Sequence, residues 1–461
     1  MLGLRPVCAL ISVTSRTLKS VSVQIHLPLK SRQLFINFGT IRQYQRPAAN
    51  LKTMKLDTPE FHALFTPELS RLIELFQKHA YDLRIAGGAV RDLLMGKQPD
   101  DLDFATTATP EEMKAMFEME NVRMINRRGE KHGTITCRIN DKENFEVTTL
   151  RIDVLTDGRH ADVEYTKNWE LDALRRDLTI NSMFLGFDGM LYDYFGGQED
   201  LKQRYVRFVG DARQRIQEDY LRILRYFRFY GRIAIEPNAH DEDTLKAIKE
   251  HMHGLQGISG ERLWVELRKI LAGNHVGDIM DVAVRLGMAP YVGLPENVNM
   301  DEFRHIWQNS HDLNPLPLTL IPALMRDENE VHNLHERLKL SKNELQLGLF
   351  IIKHRGDDFG KDRLHYCQDL VCDAAGKEPK LKDKICELLK YRNCRDILTE
   401  FNNWIPPKFP VNGIRLLERG VPKGPALART LDALRLKWKE SGYTLTQEQL
   451  LDFLDEVRKP N

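Results

Sequence analysis

The chain has 461 residues, of which 42% are hydrophobic and 29% charged, with a formal net charge of +1. That length allows two to four domains, and no stretch approaches the roughly 20 apolar residues that a membrane helix needs, so no membrane span is expected. The charge is unevenly placed: residues 1–56 hold nine Lys or Arg and no acid, and without residues 1–53 the balance is 59 Lys and Arg against 66 acids. A globally basic nucleic-acid binder is thereby excluded, and any positive potential must be gathered in patches.

The acid-free start is rich in Ser, Thr, Leu and Val. This is the composition of a mitochondrial transit peptide, and residues 1–53 are read as one. The alternative is a basic arm that binds nucleic acid. A second start at Met54 would give a product without the signal, so the expected locations are the mitochondrial matrix, the cytoplasm and the nucleus.

"TPELSRLIELFQKH" (66–79) predicts a helix: Thr66 caps it, Pro67 suits its first turn, and Leu69, Leu72, Ile73 and Phe76 form one stripe. "YDLRIAGG" predicts a strand running into a double-glycine turn, and "AVRDLLMG" a short helix ended by Gly96. "DLDFATT" reads as a strand and "TPEEMKAMFE" as a helix capped by Thr109. "VRMI", "GTITCRI" and "NFEVTTLRI" follow as strands, joined early by the polar loop "NRRGEKHG" (126–133), either a flexible pocket element or a plain hairpin connection. The fold class is therefore an α/β head with a small mixed sheet, followed by an all-α remainder. In that remainder "ISGERLWVELRKILAG" predicts a helix with Ser259 as cap. The Pro- and Gly-rich segment 404–426 marks a hinge or tight turns before a final pair of helices. The six cysteines form no C-x-x-C pair and are read as reduced and structural.

Two segments carry chemistry. In "GGAVRDLLMGKQPDDLDF" (87–104), Gly87 and Gly88 allow close backbone approach to a ligand, the helix start offers N–H groups to phosphate, and Arg91 lies one turn in, within reach of the same anion. Asp101 and Asp103, two apart on a strand, share one face, and adjacent carboxylates call for a cation such as Mg²⁺. Glu146 is the candidate third acid, or else a solvent-facing strand residue. In "DALRRDLTINSMF" (172–184), Arg175 and Arg176 are suited to bidentate phosphate binding or form an exposed basic pair.

A third segment, "EDYLRILRYFRFYGR" (218–232), reads as a helix with arginine at every third place: Arg222, Arg225 and Arg228. Its alternative is an exposed basic helix with Arg–Glu pairs, which the intervening Leu221, Leu224 and Phe227 argue against. Near the end, residues 415–439 hold seven Lys or Arg and two acids; Arg415, Arg419, Lys423 and Arg429 are the RNA-binding candidates, against a solvated basic helix.

"GGAVRDLL…DLDF", "RRDLTINS" and "YDYFGGQEDL…VRFVGDARQRIQEDYLRILR" together resemble the eukaryotic and bacterial (class II) CCA-adding enzymes, tRNA nucleotidyltransferases, in order from about residue 84 to 275. With the acid-free start, the resemblance is to the animal mitochondrial and cytosolic type. It implies a nucleotidyltransferase β (palm-like) head over 54–190, a helical neck over 191–275, a body over 276–400 and a tRNA-binding tail over 401–461. It implies Gly88 and Arg91 at the nucleotide, Asp101 and Asp103 on Mg²⁺, and Arg176, Asp219, Arg222, Arg225 and Arg228 around the incoming CTP or ATP. The tRNA 3′ end would receive C, C and A without a template. Asp219 and Arg222, three apart on one helix, would meet the base edge: a carboxylate accepts from the exocyclic amine of cytosine or adenine, and a guanidinium donates to the ring nitrogen. The same head is similar to that of bacterial poly(A) polymerases, which leaves a poly(A) polymerase as the alternative activity and an RNA-binding protein with an inactive head as the alternative class. The oligomeric state stands open between monomer and homodimer.

Overall fold

The computed structural model describes residues 54–457 apart from 126, 157–160, 375–377 and 379. The expected transit peptide therefore lies outside the described residues. The chain forms two compact units.

The first unit comprises the described residues up to Arg151 together with Tyr165–Arg176 and Asn181–Gln198. Its helix α1 (Pro67–Lys78) starts as the sequence dictates, the Thr66 hydroxyl accepting from the Leu69 N–H at 3.0 Å. Strand β1 (Leu83–Ala86) runs through Gly87 into α2 (Gly88–Leu94). Then come β2 (Asp103–Thr106) and α3 (Pro110–Met119), whose N terminus is a full capping box between Thr109 and Glu112. Strands β3 (Arg123–Ile125), β4 (Thr134–Ile139) and β5 (Glu143–Thr149) follow. The segment between β3 and β4 includes a 3₁₀ turn over Arg127–His132. β6 (Arg151–Thr156) and β7 (Ala161–Tyr165), which fall in the second unit but for Arg151 and Tyr165, make a separate two-stranded sheet. Helix α4 (Trp169–Leu174) precedes β8 (Phe184–Leu185) and β9 (Leu191–Tyr192).

The main sheet has the order β3-β4-β5-β2-β1-β8-β9. Only β2 and β5 run parallel; the other pairs are antiparallel. The sheet is mixed, as expected. One face packs Ile85, Phe104, Phe145 and Val147 under the helices; the other carries Ala86, Ala105, Phe184 and Trp169. Residues 54–56 belong to this unit: the Leu56 N–H donates to Gly189 O at 2.8 Å and the Leu191 N–H to Met54 O at 3.0 Å.

The second unit holds Ile152–Glu164, Asp177–Ile180 and everything from Glu199 onward. The short stretch 177–180 belongs there because its backbone pairs with 207–209: the Thr179 N–H donates to Arg207 O and the Val209 N–H to Asp177 O, both at 3.0 Å. Among the described residues no strand follows β9. Helices α5 (Ala212–Glu218), α6 (Arg222–Ile233) and α7 (Gly260–Leu271) lead a long series. Toward the C terminus, α8 (Pro425–Glu440) buries Leu434 and Trp438 against Val411, Leu416 and Leu450. Cys137, Cys367, Cys372, Cys386 and Cys394 are all free and buried, as structural thiols should be.

Candidate functional site

The double-glycine turn is built around Gly87. Its φ of +67° lies in the left-handed region, and a Cβ there would stand 2.9 Å from Arg176 Nη1. Only glycine gives both the conformation and the space. Arg176 is thus seated directly over the turn.

The acids stand nearby, but their local structure differs from expectation. β2 begins at Asp103, so Asp101 precedes the strand rather than sharing it. The two remain electrostatic neighbours. Solvent reaches the Asp103 carboxyl, yet the protein packed around it raises it above the usual carboxylate range; Asp101 adds to the rise and Arg176 opposes it. Asp103 is in register with Glu146 across the parallel β2–β5 pair, so both side chains leave the same face of the sheet. Glu146 is exposed.

Among the described residues, no three His, Cys, Asp or Glu side chains already converge as a metal cage. A hard divalent cation takes one or two carboxylates and completes its shell with water and substrate phosphate. The residues present fit such an ion: two crowded carboxylates, one with its proton affinity raised, and the guanidinium of Arg176 to meet a phosphate.

Arg91 does not reach outward from the helix. It is 3% exposed; its Nε and Nη2 donate to Asp92 Oδ1 at 3.1 and 3.0 Å, and Nη1 donates to Asn181 Oδ1 at 2.6 Å. A buried guanidinium needs a counter-charge, and the next residue supplies it. The Arg91 guanidinium lies against the turn, with Nη2 3.6 Å from where a Cβ on Gly88 would stand. Arg175 and Arg176 likewise converge on buried Asp172, at 2.7 and 3.1 Å. Burial acts to raise the Asp172 carboxyl, but the guanidinium groups of Arg176 and Arg175 outweigh it and hold the group below its ordinary range.

In the second unit the arginine ladder is real, but the helix is not continuous. α5 ends at Glu218, Asp219 is extended (φ −151°, ψ 105°), and α6 begins at Arg222. Asp219 and Arg222 are therefore not neighbours on one helix face, and each is held by a different partner. Asp219 Oδ1 accepts from the Leu221 N–H at 3.1 Å and Oδ2 from Arg262 Nη2 at 2.9 Å. Arg222 Nη1 donates to Glu218 Oε2 at 2.6 Å and to Arg215 O at 2.9 Å. The break is locked by the next residue: Tyr220 lies on Gly254 so closely that a Cβ there would be 1.9 Å from its ring.

The other rungs are also paired. Arg225 Nε donates to Asp177 Oδ2 at 2.6 Å. Arg228 Nε stands 3.1 Å from Glu266 Oε2, near enough for an ion pair though not aligned as a hydrogen bond, while Nη1 donates to Oε1 at 3.4 Å. The ladder is thus a set of separate, partly buried ion pairs on a helix that also buries Ile223, Leu224, Tyr226 and Phe227.

Arg262 and Glu266 had no signal of their own, because their partners lie 43 and 38 residues away. Asp172 stood in plain view before the paired arginines, but only burial shows that it binds both. In the last part of the chain, Arg415, Arg419, Lys423 and Arg429 are all exposed. Arg415 pairs with Glu418 at 2.9 Å. Gly424 (φ +99°) opens α8 without a side-chain cap.

A mixed sheet that presents two aspartates at the head of one strand, an acid in register on the next and a double-glycine turn beside them defines a nucleotidyltransferase head. Residues 83–207 match the family described as the poly A polymerase head domain, and residues 240–296 the probable RNA and SrmB-binding site of polymerase A. The mitochondrial CCA tRNA nucleotidyltransferase 1 of Danio rerio is 54% identical over 88% of this chain and 94% of its own length; that of Homo sapiens is 54% identical over 89% and 95%. The crystal structure of the Bacillus stearothermophilus CCA-adding enzyme in complex with CTP superposes with a TM-score of 0.66 at 26% identity, covering 87% of this chain and 98% of that one. The chain belongs to the family of CCA tRNA nucleotidyltransferases. Among the described residues no helix is long and apolar enough to cross a membrane.

Proposed function

We propose that the chain adds C, C and A to the 3′ end of tRNA, using CTP and ATP. The tRNA 3′ hydroxyl attacks the nucleotide α-phosphate and pyrophosphate leaves. The observation that carries this reading is the crowded Asp101–Asp103 pair, with Asp103 in register with Glu146, beside a glycine turn over which Arg176 is seated.

Asp101 and Asp103 would hold Mg²⁺, which when bound supplies charge neutralisation at the phosphate and a more acidic attacking hydroxyl. Arg176, whose Nε and Nη2 donate to Asp172 and whose Nη1 donates to Asn181 O at 3.3 Å, meets the phosphates with its remaining N–H groups. Gly87 and Gly88 let the chain approach them. Glu146, in register with Asp103, adds a third acid beside the pair.

Asp219 and Arg222 read the base. Anchored by Arg262 and by Glu218, they offer one acceptor and one donor at separate fixed points. Cytosine and adenine match that pattern; uracil and guanine set carbonyl against carboxylate and N–H against guanidinium. Each buried clash costs roughly 1–3 kcal/mol, so two give a discrimination of about 30- to 10⁴-fold. Arg225 and Arg228, tied to Asp177 and Glu266, hold the helix that carries Arg222. We assign neck, body and tail to residues 191–275, 276–400 and 401–461, with Arg415, Arg419, Lys423 and Arg429 gripping the tRNA backbone.

We also propose two products. The full chain enters the mitochondrial matrix, and a chain begun at Met54 serves the cytoplasm and nucleus. The short form would keep the pairing of residues 54–56 with 189–191. Imaging a C-terminally tagged chain with either Met1 or Met54 replaced tests this, and absence of mitochondrial signal from the full form would refute it.

The decisive experiment supplies labelled CTP and ATP to tRNA lacking CCA. Three additions followed by arrest are expected. A long tail from ATP alone would instead establish a poly(A) polymerase, and no transfer at all an RNA-binding protein. Asp101→Ala or Asp103→Ala should lower kcat at least about 10³-fold while tRNA binding persists. Turnover near the unmodified level in either would remove them as metal ligands.

A further inference from the structure

Arg84 lies on β1, three residues before Gly87, in an arrangement that stability alone does not explain. Its guanidinium carbon is 3.5 Å from the Tyr192 ring centroid and 4.0 Å from that of Trp169. Nη1 of Arg84 and Nε1 of Trp169 are both buried and without a hydrogen-bond partner. Among the described residues no carboxylate pairs with Arg84. Arg84 is half-buried, and the polar group against it is the Tyr194 phenol rather than a carboxylate. A half-buried cation without a counter-charge is costly, and an aliphatic side chain would fill the same space more cheaply.

Its position suggests what it serves. The β1–β2 register sets Arg84 opposite Ala105 and Ile85 opposite Phe104. Side chains alternate along a strand, so Arg84, Ala86 and Asp103 leave the same face of the sheet. Phe184 and Tyr192 join that face through the pairings Ala86↔Phe184 and Phe184↔Tyr192. Trp169 packs edge-on against Phe184, with centroids 4.9 Å apart at 78°. The guanidinium of Arg176 lies 4.8 Å from the same Phe184 ring. Arg176 Nη1 then borders Gly87. A continuous stack thus runs from Arg84 through Trp169 and Phe184 to Arg176, alternating cation and ring, beneath the face that bears the acids.

We propose that Arg84 is a positioning residue for nucleotide transfer: clasped between Trp169 and Tyr192, it fixes through Trp169 and Phe184 where Arg176 sits over Gly87 and beside Asp103. This rests on the assignment of Arg176 to the phosphates of the incoming nucleotide. The clasp joins β1, α4 and β9, the three elements whose mutual spacing sets that seat. A guanidinium suits the task because its flat, weakly hydrated face binds two rings at once.

The test is a double-mutant cycle in the full-length protein, read as KM for CTP, KM for tRNA, kcat and thermal midpoint. Arg84→Gln should raise KM for CTP about 5- to 20-fold, change KM for tRNA less than about twofold, and leave a cooperative melt. Arg84→Lys, which keeps a cation between the rings, should recover most of the loss. In an Arg176→Ala background, Arg84→Gln should change KM for CTP less than about twofold, since its route of action is gone. Tyr192→Leu, which removes one ring of the clasp, should reproduce the pattern if Arg84→Gln fails to fold. Full additivity of the two substitutions, or a lysine no better than glutamine, would overturn the inference while leaving the role of Arg176 intact. An Arg176→Ala enzyme with unchanged KM for CTP would overturn the assignment of Arg176 itself, and this inference with it.

Discussion

Asp219 is held by Arg262, not by Arg222: Arg262 Nη2 donates to Asp219 Oδ2 at 2.9 Å across 43 residues of chain. The carboxylate proposed to read the base is therefore fixed from outside its own helix pair. Asp219→Ala should relax rejection of UTP and GTP about 10- to 100-fold, and Arg262→Gln by a smaller factor, about 3- to 10-fold, because the carboxylate remains but wanders. Single-turnover incorporation of each of the four nucleoside triphosphates measures both; equal selectivity in all three proteins would contradict the base-reading assignment.

Arg91 gives a different kind of prediction. It is buried and ion-paired with Asp92, so Arg91→Ala removes the cation from a buried charge pair. The expected loss is about 3–5 kcal/mol of unfolding free energy. Denaturant unfolding checks it. A normally stable Arg91→Ala protein with only a weakened KM for nucleotide would restore the outward-reaching role that the sequence suggests.

Asp103 and Asp172 should respond to pH with opposite signs. Asp172 has its carboxyl below the ordinary range, chiefly through Arg176 and Arg175 working against burial. Its contribution is complete above the unfolded-state value of about 3.9 and is lost as pH falls through the folded value. Asp172→Asn should lower the thermal midpoint at pH 7, and the gap to the unmodified protein should close toward pH 2. Asp103 has its carboxyl raised, chiefly by burial. Its ionised form is the strained one, so Asp103→Asn should raise the midpoint at pH 7 by a small amount, less than about 1 kcal/mol because solvent screens it, and not at all once both forms are neutral. Calorimetric scans from pH 2 to 7 read both signs.

Lys423 and Arg429 are exposed before and within α8. Replacing both with Glu should weaken tRNA binding about tenfold or more and reduce the steepness of its salt dependence, with KM for CTP unchanged. Filter binding over a series of salt concentrations measures it. An unaltered salt slope would remove this segment from the RNA path.

The elements that the sequence announced are those written in local rules. Thr66 and Thr109 cap their helices because a hydroxyl three residues before an N–H needs nothing else to find it. Alternation gave β4 and β5, and with them Glu146 opposite Asp103, although the register itself came only from the sheet. Where locality failed, the errors share a cause. The run 218–232 has helical propensity throughout, but Tyr220 stacks on Gly254 and Asp219 turns to Arg262, and these distant contacts break the helix at Asp219. Arg91 has the spacing of an anion contact, and only the tertiary structure shows that it is buried and paired with Asp92.

Taken alone, the sequence determined which residue types are present, in what order and on which local element: glycines at a turn, paired acids at a strand, arginines every third place. Those features follow from backbone sterics and side-chain periodicity, which act over a few residues. Tertiary structure alone decided which charge answers which: Asp172 for Arg176, Glu218 for Arg222, Arg262 for Asp219, and Arg84 with no acid among the described residues. Such pairing depends on burial and on distances of a few ångströms between segments far apart in the chain, and neither is written in spacing along it.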